Sequence, residues 1–153
     1  RSDTLVYQTE KVLREQGDAP AGDALRKLVA ISDRYGLKVT FHRAFDATPQ
    51  PLETLERLID CGFDRILTSG TPWNSKGSAL DGVARLRQII EQAAGRIEIV
   101  AGGGVNSDNV ATLLSKLPLG DNNVSIHAYS GVQENGITTT DAVQSLVDKT
   151  KHF

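Results

Sequence analysis

Short β-forming segments alternate with amphipathic helical segments along most of the sequence, and this alternation constrains the fold more than any other feature. The strand–helix units recur roughly every 25–30 residues, which is typical of right-handed βαβ crossovers on a parallel sheet. The predicted strands are 38–42, 65–68, 97–100 and 124–127, and the helices that follow them are 49–59, 80–94, 106–117 and 139–151.

The first 35 residues are predicted to be helical. Apolar residues between Leu5 and Leu13 recur at a rough helical spacing, and Gly17 to Pro20 break the pattern. A second helix is predicted from about Asp23, with Gly36 at the position of a C-cap. We therefore expect residues 1–20 to form a helical lead-in and residues 21–153 to form the βα domain.

An open doubly wound sheet and a closed barrel both use this alternation, and the strand pattern favours the barrel. Strands of a doubly wound sheet are buried on both faces and usually read as continuous apolar runs. Here apolar and polar residues alternate, so the apolar set is expected to face the helices and the polar set the lumen. The apolar set is Val39, Phe41, Ile97, Ile99, Val124 and Ile126, and the polar set is Thr40, His42, Glu98, Ser125 and His127.

The number of predicted strands indicates about half of a (β/α) TIM-type barrel. A complete barrel has about eight parallel strands, and this sequence supplies four, preceded by helices. Strands 38–42 and 124–127 would then be unpaired edges, which favour self-association. The sequence contains no methionine and begins with Arg1, so we expect a processed or truncated product.

Composition excludes several classes of protein. Apolar residues make up 39% and charged residues 24%, and the net charge of −2 comes without a basic block, so neither disorder nor nucleic-acid binding is indicated. No apolar run is long enough to span a membrane. Cys61 is the only cysteine; it excludes an intrachain disulfide and makes a thiolate copper site within this chain improbable.

The residues with chemical potential collect where the predicted strands end. Ligands of parallel α/β folds bind at the carboxyl ends of the strands, so these residues form the candidate site. They are His42, Arg43 and Asp46 after the first strand, Ser69 and Gly70 after the second, Gly102, Gly103, Gly104 and Asn106 after the third, and His127 at the end of the fourth.

The run of three glycines predicts either an anion-binding loop or a tight turn. Glycines between a strand and a helix let backbone N–H groups approach an anion, and a helix beginning near Asn106 would add its positive end. A turn that needs positive φ explains the same residues without a ligand. Both interpretations remain open from the sequence.

His42 and His127 are predicted to point into the lumen, where they could act as general acid or base or bind a metal. The alternative is a pair of neutral histidines hydrogen-bonded within a polar core. Glu98 lies lower in the lumen and needs a partner if it is buried. Trp73, in the loop of residues 69–77, could cover a ligand or anchor the loop.

Taken in order, the strand-end segments resemble the CutC family of copper homeostasis proteins. The matching segments are Val39 to Asp46, Gly62 to Gly70, and Gly95 to Ile99 followed by Gly102 to Val105. The resemblance covers residues ~23–153 and places them at strands five to eight of the family's barrel. After His127 the sequence departs from the family's usual small-residue stretch.

The resemblance implies a TIM-type barrel, a cytoplasmic location and a role in copper handling, with copper as a possible cofactor and His42 and His127 as candidate ligands. The residues themselves also allow a barrel enzyme of unknown reaction that acts on a small anionic substrate such as a phosphorylated one. Its anion would lie against Ser69, Gly70, Gly102, Gly103, Gly104 and Asn106, beside Arg43. The sequence leaves open whether the chain is an enzyme.

Overall fold

A computed structural model describes residues 4–7 and 22–153 of the chain. Its main feature is a five-stranded sheet in which every neighbouring pair is parallel and the strands follow one another in sequence order. The strands are β1 (Thr4–Tyr7), β2 (Lys38–Phe41), β3 (Arg65–Thr68), β4 (Glu98–Gly102) and β5 (Val124–His127). Sequential order without a reversal is the arrangement of a (β/α) barrel and not of a doubly wound sheet.

Helices follow the strands, as the spacing predicts. They are α1 (Gly22–Arg34), α2 (Pro51–Cys61), α3 (Val83–Ala93), α4 (Val110–Ser115) and α5 (Thr140–Asp148). A 3₁₀ helix (Arg43–Ala47) follows β2, and a small hairpin of β6 (Gln133–Glu134) and β7 (Ile137–Thr138) precedes α5. Local signals fix the ends of α2, because Pro51 stands in its first turn and Gly62 adopts φ 86° at its C-cap. None of the described helices is long and apolar enough to cross a membrane.

The helical prediction for the N-terminal segment is wrong at Thr4–Tyr7, which form a strand paired with Lys38–Phe41. Leu5, Val6 and Tyr7 are good β-formers, and a run this short fits either period until a neighbouring strand decides it. The prediction of four strands is therefore also wrong, and 38–42 is not an edge. The rest of the predicted first helix, in residues 8–21, lies outside the described residues.

The apolar set predicted to face the helices is buried in the centre of the sheet. Val39, Phe41, Ile97 and Ile99 are at most 3% exposed, whereas Val124 and Ile126 of β5 are only half-buried. On the other side of these strands, the predicted lumen, Glu98 has the partner that its position requires. Arg65 Nε lies 2.5 Å from Glu98 Oε2, and the Ser125 hydroxyl donates to Glu98 Oε1.

Candidate functional site at the strand ends

The 3₁₀ helix after β2 brings Arg43 and Asp46 together one turn apart. Arg43 Nε donates to Asp46 Oδ2 at 2.8 Å, and Arg43 Nη2 donates to Ser69 Oγ at 2.7 Å. Ser69 follows β3 directly, so the end of one strand holds the side chain that follows its neighbour. Three residues chosen from the sequence at two different strand ends are thus in direct contact.

Asp46 is the centre of this network. Its side chain is only 2% exposed, and a buried carboxylate is tolerated only with a cation and several hydrogen-bond donors. Besides Arg43, it accepts from the Thr68 hydroxyl, from the Ser69 N–H at 3.1 Å and from the Ser69 hydroxyl at 3.0 Å. These contacts hold Asp46 in one orientation, and Asp46 in turn holds Arg43.

One arm of the Arg43 guanidinium is not used by this network. Nε and Nη2 donate to Asp46 and Ser69, whereas Nη1 donates to none of the described residues. The Trp73 ring lies against the guanidinium, with 5.7 Å from Cζ of Arg43 to the ring centroid. The backbone N–H of Trp73 donates to the backbone carbonyl of Asp46 at 3.1 Å. Trp73 therefore anchors its loop on Arg43.

The glycine loop packs so closely against Leu67 and Ser69 that side chains would not fit, and it lies beside Arg43. A Cβ on Gly103 would lie 3.0 Å from Ser69 Cβ and 3.5 Å from Arg43 Nη1, and Gly103 adopts φ 125°. A Cβ on Gly102 would lie 2.8 Å from Leu67 Cδ1. The tight-turn interpretation is therefore supported, and the same turn places backbone beside the unused arm of Arg43.

Asn106 does not open a helix start to a ligand. The helix predicted from residue 106 begins at Val110, and Asn106 Oδ1 accepts from the N–H groups of Asp108 at 2.9 Å and Asn109 at 3.1 Å. Asn109 Oδ1 in turn accepts from the Asn106 N–H at 3.0 Å. The two asparagines thus satisfy the amides of residues 106, 108 and 109, and of the predicted anion-binding residues in this loop it is Gly103 that lies near Arg43.

The two histidines lie at the same rim and are electrostatically close. His127 pairs with Gly102 across β4 and β5, and a Cβ on Gly102 would lie 3.4 Å from His127 Nδ1. Burial lowers the pKa of His42, and the positive charges of His127 and Arg43 lower it further. His42 is half-buried whereas His127 is exposed. The structure thus brings both to the rim, with His127 at its open side.

Two other sequence-predicted residues have structural surroundings. Cys61 is buried with its Sγ 3.9 Å from the Gly22 carbonyl, and burial raises the pKa of its thiol, as expected for a packing residue. Gly70 is packed against the start of α3, where a Cβ would lie 2.4 Å from the Gly82 carbonyl oxygen. Within the described residues no three His, Cys, Asp or Glu side chains cluster in a way that could hold a metal.

A parallel sheet in sequence order defines a TIM-barrel-type protein, and the charged and histidine side chains at its strand ends form a candidate site at the carboxyl rim. The CutC family model matches residues 12–128. The chain therefore belongs to the CutC family, some members of which are named as copper homeostasis proteins.

Individual relatives agree with this assignment. A CutC family protein of Pasteurella multocida is 43% identical over 61% of this chain and 37% of its own length. The mouse copper homeostasis protein cutC homolog is 46% identical over 51% of this chain and 27% of its own. The chain thus spans about a third of the curated relatives it matches.

Solved structures agree on the fold. The putative copper homeostasis protein CutC of Streptococcus agalactiae matches with a TM-score of 0.63 at 24% identity, over 80% of this chain and 53% of that chain. A structure titled native KDPGal matches with a TM-score of 0.60 at 15% identity, over 98% of this chain and 59% of that one. At these identities the likeness concerns the fold alone.

Proposed function

We propose that this part of a CutC barrel binds a small anion, a phosphate or carboxylate group of a small molecule, through Arg43. The observation that carries the proposal is that Arg43 Nη1 bonds to no residue within 4–7 and 22–153, while the other two nitrogens of the guanidinium are fixed by Asp46 and Ser69. A fixed arginine loses little side-chain entropy when an anion binds. Gly103 supplies the space beside Nη1.

In this proposal Asp46, Ser69 and Gly70 are positioning residues, and the histidines handle protons. Asp46 and Ser69 orient Arg43, and the fixed turn at Gly70 sets the direction of the Ser69 hydroxyl. The lowered pKa of His42 keeps it neutral near pH 7, which is the form that accepts a proton. His127, at the exposed side of the rim, would serve as the second acid–base group if the bound molecule reacts.

Titration with inorganic phosphate, followed by the Arg43 Nε–H and Gly103 N–H NMR signals, tests the anion proposal. We expect saturable shifts at both signals, and loss of roughly tenfold or more in affinity in Arg43→Gln, because a charge-assisted hydrogen bond contributes ~1.5–3 kcal/mol. Arg34→Gln, an exposed arginine at the end of α1, is the matched control.

Arg43→Lys keeps a cation opposite Asp46 and removes the Nη1 arm, so it tests the proposal even where Arg43→Gln unfolds the chain. It should fold and bind phosphate more weakly than the parent protein. Phosphate binding that is equal in Arg43→Lys and the parent, or no saturable shift in the parent, would refute the proposal.

Copper binding is a second candidate, favoured by the closeness of the two rim histidines. His127 is near enough for its charge to lower the pKa of His42, and a neutral imidazole is the form that ligates copper. Two imidazoles form an incomplete site among the described residues. Copper is therefore proposed as cargo of the whole protein, with His42 and His127 as two of its ligands.

Copper titration of the parent chain and three single variants separates the rim site from adventitious binding. His42→Ala and His127→Ala should each abolish the same single bound equivalent of copper. His152→Ala, which removes an exposed histidine away from the rim, should leave it in place. Copper binding that is absent from the parent, or that persists in both rim variants, would exclude this candidate for the chain.

A further inference from the structure

A cavity lies on the outer side of the hydrogen-bonded network of Arg43, Asp46, Thr68 and Ser69 (the strand-end network), between the starts of α2 and α3. Its volume is about 220 Å³. The walls are mostly apolar and come from the 3₁₀ helix, the segment that leads from it into α2, the loop after β3, and α3: Phe45, Pro49, Pro51, Pro72 and Ile89. His42, Arg43 and His127 do not line it, whereas Asp46, Thr68 and Gly70 do, so this cavity lies beside the rim site and shares a wall with it.

Arg85 gives this cavity a positive charge. It lies in the first turn of α3 with an exposed side chain, and no described residue forms a hydrogen bond or ion pair with its guanidinium. Other arginines nearby are occupied, since Arg87 bonds the Lys116 carbonyl and Glu91, and Arg96 pairs with Glu56. A cation that pairs with none of the described residues, at the edge of a mostly apolar cavity, suits a ligand with an apolar body and one anionic group.

We propose that this outer cavity binds a small organic acid, with its apolar body between Phe45, Pro72 and Ile89 and its carboxylate on Arg85. The volume suits a single ring or a short branched chain. The Thr48 and Thr71 hydroxyls, which also line the cavity, are turned to the Phe45 carbonyl and to Ser69. Arg85 is therefore the group that selects the anion.

The wall between this cavity and the rim site connects the two. Asp46 and Thr68 line the cavity, and the Asp46 carboxylate, which is buried behind that wall with its side chain only 2% exposed, holds Arg43. An acid bound in the outer cavity thus packs against the residue that positions the rim arginine. Its binding will change the environment of the Arg43 Nε–H, which donates to Asp46.

Benzoate is a suitable probe because it combines a flat apolar ring with one carboxylate, and benzamide is its uncharged counterpart. Titrating each into the labelled protein and recording backbone and arginine Nε–H NMR signals locates the site. The matched variants are Arg85→Gln and Arg87→Gln, which remove one charge each from exposed positions of the same helix. Neither position contributes to the buried core.

We expect benzoate to give saturable shifts at Gly70, Thr71 and Arg85 and at the Arg43 Nε–H. Benzoate affinity should fall roughly tenfold or more in Arg85→Gln, as loss of a charge-assisted hydrogen bond predicts, and stay unchanged in Arg87→Gln. The proposal is overturned if no saturable shift appears, if benzamide binds equally well, or if Arg85→Gln binds as the parent does. An unmoved Arg43 signal during benzoate saturation overturns the connection to the rim.

Discussion

The centre of the sheet and its edge at β5, which lies late in the chain, differ in how completely their side chains are buried. In the centre, Phe41, Leu55 and Ile66 are fully buried. At the β5 edge, Val124 and Ile126 are half-buried, and α5 has no buried residue at all. The strand-end network rests on the first region, whereas His127 belongs to the second.

The two halves of the candidate site also differ in their contacts, since Arg43, Asp46 and Ser69 bond to one another whereas His127 is exposed. Arg43, Asp46 and Ser69 are fixed by direct hydrogen bonds because their strand ends are packed under α2 and α3. Beyond β5 no further strand is paired among the described residues. Of the residues proposed to contact a ligand, only Arg43 is therefore held by the buried centre of the sheet.

The largest expected loss of stability comes from a truncation in the buried core. Leu55→Ala should lower the free energy of unfolding by about 4 kcal/mol, near the upper part of the range for such truncations, because the side chain is 0% exposed. Val147→Ala in α5, which is 44% exposed, should change it by about 0.5 kcal/mol or less. Urea denaturation of both variants measures the contrast, and equal losses would remove it.

Asp46→Asn should lower the free energy of unfolding by about 3 kcal/mol, less than Leu55→Ala. It removes the charge that compensates Arg43, while the amide keeps part of the hydrogen bonding. Asp108→Asn, an exposed aspartate, is its control. Phosphate affinity at Arg43 should fall in Asp46→Asn even at temperatures where the protein is fully folded. A folded variant with parental phosphate affinity would show that Asp46 does not position the arginine.

The local elements of the fold could be predicted from sequence, and the contacts across it could not. The bounds of β3 and β5 agree with the predicted ones because each is a short β-forming run between polar or glycine-rich segments. The prediction at Thr4–Tyr7 failed because its strand state depends on pairing with β2, which is distant in sequence.

The candidate site shows the same limit. Strand-end position alone identified Arg43, Asp46, Ser69 and Gly103, because all parallel strands end at one side of the sheet. The sequence could not show that Asp46 and Ser69 occupy two arms of Arg43, nor that Arg65 is the partner of Glu98. The 3₁₀ helix that creates the Arg43–Asp46 contact has no strong local signal and was missed.

The smallest effect concerns His42, which joins the two regions. Its pKa in the folded protein should lie below the ordinary value of about 6.5, and His127→Gln should raise it by a fraction of a unit, since one positive charge is removed. Because the unfolded chain then binds more protons, His42 makes the fold less stable as pH falls through about 6.5. NMR titration of the His42 ring measures the pKa, and a value above 6.5 would contradict the burial described here.

Native-state hydrogen exchange tests most directly the claim that Arg43, Asp46 and Ser69 rest on the buried centre of the sheet. Amides of β3 and β4 should exchange only through global unfolding, whereas those of β5 and α5 should exchange through local opening at lower free energy. Ser69, whose N–H donates to Asp46, should exchange with the first group. Equal protection of β5 and β3, or fast exchange at Ser69, would contradict the account.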